Sequence, residues 1–152
     1  MTSETAPMRA LSFMIGEWGM DYTVTQNGHT TKTIRGAGSL RYLFNATYLA
    51  FDYQMFEKAT GKMIAEAHAI FAWDKKSGQY RYYWFEDSGA FHQATGVLRD
   101  AHTLALEWQD INCTQIFQRV SEDAMYLEMQ CPAQDFLLRV DFSRLPGGTP
   151  PA

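Results

Sequence analysis

The stretch "SFMIGEWGMDYTVTQNG", residues Ser12 to Gly28, decides the fold. Trp18, Met20, Tyr22 and Val24 fall on one face of an extended chain, and Glu17, Asp21, Thr23 and Thr25 fall on the other. That alternation marks a half-buried strand. Asn27-Gly28 then supplies two residues that tolerate positive φ, as a tight hairpin turn requires, and "HTTKTIRG" begins the return strand. The preceding "MRALSFMI" forms one or two helical turns with Leu11, Met14 and Ile15 on one side. The chain therefore opens with a short helical turn and a β-hairpin anchored on a tryptophan.

The same alternation continues almost to the end. Turn chemistry recurs at "QNG", "FNAT", "EKATGK", "DKKSGQ", "EDSGA", "RDAH", "QDIN", "SED" and "CPAQD". Nine turns delimit ten strands, with no long crossover between them. The expected fold is all-β, an antiparallel up-and-down β-barrel of about ten strands, because a meander of that size removes its edges by closing on itself. Residues 1–7 read as a flexible tail, 8–144 as one barrel domain, and 145–152, "LPGGTPPA", as a second flexible tail.

At 152 residues one domain has room for a real core. Its many aromatics favour sheet over helix. Thirteen basic residues against seventeen acidic ones are scattered along the chain, so nucleic-acid binding lacks its basic footprint. No basic start leads into a continuous apolar run, so neither a secretory signal nor a membrane span is readable, and a cytoplasmic location is the expectation. Cys113 and Cys131 have neither the number of a disulfide framework nor a zinc spacing. They read as reduced thiols facing each other across the "SED" turn, with β-carbons within about 6 Å. No metal site or cofactor is expected.

Residues paired across a hairpin share a face, so the interior can be followed from strand to strand. From Trp18, Met20 and Tyr22 it passes to Ile34, Leu40 and Tyr42, then to Leu49, Phe51, Tyr53 and Met55, then to Ile64, Glu66, His68 and Ile70. It continues through Arg81, Tyr83 and Phe85, through Phe91, Gln93, Thr95 and Val97, and through Leu104, Leu106 and Trp108. Cys113, Gln115, Phe117 and Arg119 follow, then Met125, Leu127 and Met129, and finally Leu138, Val140, Phe142 and Arg144. The polar interruptions Tyr53, Glu66, His68, Arg81, Tyr83, Gln93, Gln115 and Arg119 are the expected ligand-binding residues. Apolar walls with a few polar groups suit a small apolar or amphipathic organic molecule.

Two other function classes stand beside that one. Glu66 and His68, two apart on one strand face with Tyr53 or Tyr83 nearby, suggest acid–base chemistry on a small molecule. No nucleophile elbow, metal triad or phosphate loop accompanies them, so no residue is assigned as catalytic. A lumen filled by side chains would instead mean a structural or interaction role. On the opposite face Tyr48, Phe56, Phe71, Trp73, Tyr80, Tyr82, Trp84 and His92 form an outer aromatic patch, from which a homodimer is expected. A register slip would exchange these faces, with Trp84 inside and Glu66 outside.

Gly16-Glu17-Trp18 after a short helical turn resembles the Gly-x-Trp start of calycins, the lipocalins and fatty-acid-binding proteins. "LSFMIGEWGM", "AWDKKSGQYRYYWFEDSG" and "ATGVLRD" together are similar to the bacterial domain of unknown function 1579 family over nearly the whole chain. The resemblance implies a calycin-like barrel with a cavity and no established activity. It also implies an arginine of the last strand packed over the tryptophan, Arg144 or, as the fallback, Arg139. Trp18 and Arg144 would then plug one barrel end. Phenolic-acid-decarboxylase-like barrels show that such a shape can host catalysis. The heme-binding nitrobindin type also shares the ten-strand barrel. Here, however, Met20 and Asp21 follow Gly19 and no histidine follows His102, so heme would need His68 or His92 as axial ligand.

Overall fold

Asn27 and Gly28 take φ values of 52° and 81°, both in the left-handed region, and close the first hairpin as their chemistry requires. The computed structural model describes residues 5–146. In chain order the strands are β1 (Gly16–Gln26), β2 (His29–Thr31), β3 (Ile34–Leu43), β4 (Tyr48–Glu57), β5 (Met63–Asp74) and β6 (Gln79–Glu86). They continue as β7 (Phe91–Asp100), β8 (Thr103–Trp108), β9 (Thr114–Ser121), β10 (Ala124–Cys131) and β11 (Phe136–Arg144). A helix α1 (Ala6–Arg9) and a 3-10 turn at Ser12–Met14 precede β1.

Every neighbouring pair is antiparallel and sequential, and β11 returns to pair with β1 from Trp18 opposite Arg144 to Gln26 opposite Phe136. The short β2 and β3 form one return strand interrupted at residues 32–33. β2 pairs with the end of β1, and β3 with its start. The result is a closed barrel of ten antiparallel strands with one short N-terminal helix. Closure leaves the ten barrel strands no free edge to template other chains.

The inward face agrees with the sequence reading on β1, β3, β4 and β8 to β11, and is reversed on β5, β6 and β7. Met55 pairs with Ala65 while Phe56 pairs with Met63, so Ile64 stands as an unpaired bulge. That one extra residue turns Ala65, Ala67, Ala69 and Phe71 inward and Glu66, His68 and Ile70 outward. A second bulge at Arg99, between the pairs Leu98–Leu104 and Asp100–Thr103, restores the parity. The reversal carries Phe71, Trp73, Tyr80, Tyr82, Trp84 and His92 into the barrel. The outer aromatic patch that motivated a homodimer is thus largely an inner one.

Two further expectations change. Residues 6–7 belong to α1, where a tail was expected, and the carbonyl of Pro7 accepts a hydrogen bond from Tyr80 Oη at 2.6 Å. The tail readings at 1–4 and 147–152 lie outside the described residues. Cys113 and Cys131 do face each other, with Cα atoms 4.4 Å apart, but as a disulfide and not as thiols. Directly opposed positions on neighbouring strands fall within the reach that such a bond needs.

Candidate functional site

One end of the barrel is capped by the N-terminal segment. Four side chains hold it by donating to its backbone carbonyls: Tyr80 to Pro7, Tyr42 to Met8 at 2.9 Å, Trp18 Nε1 to Met14 at 2.9 Å, and Arg144 to Ile15 at 2.6 Å. The Arg144 guanidinium also lies 4.3 Å from the centroid of the Trp18 ring, a cation–π contact. Arg139, the fallback, sits outside over Tyr126 at 3.7 Å. Above the cap the inner layer is sealed: Trp18, Leu40, Phe51, Phe71, Phe117 and Phe142 are each at most 1% exposed.

The opposite end, the mouth, is built differently. Its inward side chains include Val24, Ile34, Tyr53, Met55, Ala65, Trp84, His92, Met129, Phe136 and Leu138, and all of these remain only half-buried. They ring the open end of the lumen above the sealed aromatic layer, and this ring of partly exposed side chains is the cup. Polar groups project into it in pairs. Trp84 Nε1 donates to Tyr53 Oη at 2.8 Å, Trp108 Nε1 donates to Gln115 Oε1 at 3.2 Å, and His92 Nδ1 meets Asp110 Oδ2 at 2.7 Å. His92 stacks on Trp84 with ring centroids 5.7 Å apart. Tyr22 Oη is buried and has no hydrogen-bond partner among the described residues.

Two glycines of β3 make this packing possible. A β-carbon at Gly36 would come 3.0 Å from Tyr22 Cε1 and 2.9 Å from the Gln54 carbonyl oxygen. One at Gly38 would come 2.9 Å from Phe51 Cε1. Burial raises the pKa of Tyr22, and the neighbouring Tyr53 adds to the effect. Burial pushes Tyr53 up to about 12, against the lowering by its Trp84 hydrogen bond. Tyr82 is raised by burial and then by Tyr53. All three phenols stay protonated at neutral pH.

Of the sequence-expected binding residues, Tyr53 and Gln115 belong to the cup. Arg119 faces inward at the capped end, where its Nε donates to the Ser121 carbonyl. Glu66, His68, Arg81, Tyr83 and Gln93 are on the outer face, because the Ile64 bulge reversed their strands. His68 Nδ1 hydrogen-bonds Asp52, Gln54 donates to Glu66 at 2.9 Å, and Arg81 grips Asp74 Oδ2 through Nε and Nη2 at 2.9 and 2.7 Å. Lumen catalysis by Glu66 and His68 has no geometric basis in this arrangement. They line an outer cleft of about 620 Å³ with Glu17, Ser39, Phe85 and Asp87. Of the two candidate axial histidines, His68 is outside and His92 is in the cup, its Nδ1 engaged by Asp110.

Tyr22, Trp84, His92 and Trp108 are the cup residues that the sequence reading did not name as site residues. The available signal was the alanine run Ala65, Ala67 and Ala69, which marks a face too crowded for bulk. Among the described residues no group of three or more His, Cys, Asp or Glu is placed to hold a metal ion, and no helix is long and apolar enough to cross a membrane.

The fold has a counterpart among solved structures. The crystal structure of Rv2717c from M. tuberculosis superposes with a TM-score of 0.70 at 14% identity, covering 93% of this chain and 98% of that one. At that identity the likeness shows the fold alone. A de novo designed fluorescence-activating β-barrel matches with a TM-score of 0.45 at 12% identity, covering 90% of this chain and 97% of that one. No protein-family model matches the sequence, and no curated protein does.

Proposed function

We propose that the protein is a calycin-type barrel that binds a small, largely apolar organic molecule in the cup at its mouth. The carrying observation is the asymmetry of the lumen. Inward apolar side chains are sealed at the capped half and remain partly exposed at the mouth half. Ligand pockets combine such apolar walls with a few placed polar groups, and Tyr22, Tyr53, Trp84, His92 and Gln115 supply them here. A hollow of about 650 Å³ at the rim, lined by Lys32, Ile34, Glu57, Lys58 and Ile64, shares Ile34 with the cup wall and supports an entry path.

The neutral dye N-phenyl-1-naphthylamine tests this reading. Its emission should rise on adding protein and saturate at one dye per chain. Ala65→Phe, which fills the cup from the β5 wall, should weaken binding about tenfold. Undiminished binding in that variant would move the site elsewhere. Location belongs to the same proposal only in part: the Cys113–Cys131 disulfide weighs against the cytoplasm, since such bonds persist in oxidising compartments.

A further inference from the structure

We infer that the buried end of the ligand carries a neutral hydrogen-bond acceptor, such as a ketone, quinone, ester or amide carbonyl, and not a carboxylate. This inference rests on the mouth-site reading. Tyr22 Oη has a proton and nothing to give it to. Tyr53 Oη accepts from Trp84, and among the described residues its own proton has no acceptor within hydrogen-bonding distance. Both rings lie against the glycine pair of β3. A β-carbon at Gly36 would stand 3.3 Å from Tyr22 Oη, and one at Gly38 would stand 3.3 Å from Tyr53 Cβ. Buried polar groups in folded proteins are nearly always paired. Two adjacent phenol donors without an acceptor point to one supplied from outside the chain.

Charge decides which acceptor. Among the described residues the ionisable groups on the inner face of the mouth half, tyrosines aside, are Glu86, opposite Ala67, Glu57, opposite Ile34, and His92, which is paired with the Asp110 carboxylate. The inward arginines, Arg119 and Arg144, belong to the capped end. A carboxylate placed at Tyr22 and Tyr53 would give up its hydration with no cation to receive it and would face Glu86. A carbonyl oxygen carries no such penalty and accepts from both phenols. Lys32 and Lys58 stand on the outer rim, with Lys58 2.7 Å from Asp21. They would hold an acid only with its charged end outward, the reverse orientation.

Three ligands sharing one ring system separate these cases: 2-acetylnaphthalene, 2-ethylnaphthalene and 2-naphthoate, titrated calorimetrically at neutral pH. The ketone should bind about tenfold tighter than the hydrocarbon, with the carboxylate weakest. Tyr22→Phe should remove most of the ketone's advantage and leave the hydrocarbon's affinity within about twofold, with Tyr53→Phe as the independent second variant. Equal affinity for ketone and hydrocarbon overturns the inference, as does a ketone preference that survives both variants. Tightest binding of 2-naphthoate also overturns it, and reorients the ligand toward Lys32. Hydrocarbon binding without ketone preference leaves the mouth-site reading standing, whereas no binding of any of the three brings down both.

Discussion

At the capped end Trp18, Tyr42, Tyr80 and Arg144 each donate to a backbone carbonyl of the N-terminal segment, whereas at the mouth, among the described residues, Tyr22 donates to nothing and Tyr53 only accepts. Aromatic residues with polar tips serve both ends. The difference is the supply of acceptors. Where the chain folds back over the opening, its carbonyls take up these four donors, leaving Arg9 Nε as the buried donor without a partner among the described residues, and the end is closed. Where no segment among the described residues folds back, the donors stay uncommitted, and the same residue types become a surface for something else.

The comparison breaks most readily at the cap. Trp18→Ala should cost about 3–5 kcal/mol in denaturant unfolding, as for other buried aromatics. Dye affinity per folded molecule should not change. A loss of binding as large as the loss of stability would mean that the two ends are not separable. The disulfide sharpens the contrast, because it is a mouth-side feature that acts on stability. Its bridge spans 18 positions, and a Cys113→Ser/Cys131→Ser variant should lose about 3 kcal/mol.

Tyr22→Phe should move stability and binding in opposite directions. Removing an unsatisfied buried hydroxyl should gain about 1 kcal/mol while weakening the ketone. Lower stability in that variant would show that Tyr22 Oη has a partner after all.

Near the capped end, the Arg81 hydrogen bond holds the Asp74 carboxyl down at about 2. A carboxyl depressed in the folded state contributes stability above its unfolded pKa near 4, and that contribution is lost as pH falls toward 2. Asp74→Asn should therefore flatten the pH dependence of stability over that window. The smallest effect belongs to the outer face: Glu66→Gln with His68→Ala should change stability by no more than about 0.5 kcal/mol and leave dye binding as it was.

The nine connections were legible because Gly, Asn, Asp and Ser act locally, and each loop lies at or within one residue of its turn chemistry. The Trp18–Arg144 contact was legible through resemblance, and the strand register places the two directly opposite. The bulges at Ile64 and Arg99 were not legible. The alanines of "GKMIAEAHA" hint at a crowded face but do not locate a spare isoleucine, because both alternating sets can be buried. One set offers two isoleucines around Glu66 and His68, and the other is alanine. Crowding across the barrel decides between them. Ala69 packs between Phe51 and Trp84 in register and is wholly buried, so no larger side chain fits there. That is a property of neighbours far away in sequence. Its consequence was confined to three strands because the second bulge undid the first, which left Tyr53, Gln115 and Arg119 facing inward and turned Glu66, His68, Arg81, Tyr83 and Gln93 outward.

The closure of β11 onto β1 also dictates when the molecule can become itself. Arg144 reaches Ile15 across 129 positions of chain, and β1 from Trp18 to Gln26 takes its second neighbour from the final strand. During synthesis β1 can pair with β2 and β3 early, but its other edge stays bare until residues 136–144 have left the ribosome. Long-range pairing of this kind is slow, and a bare strand edge invites pairing with other chains while it waits. The last nine residues of the barrel therefore act as a latch on nascent protein, and a chain interrupted before them is left with an open sheet in place of a barrel.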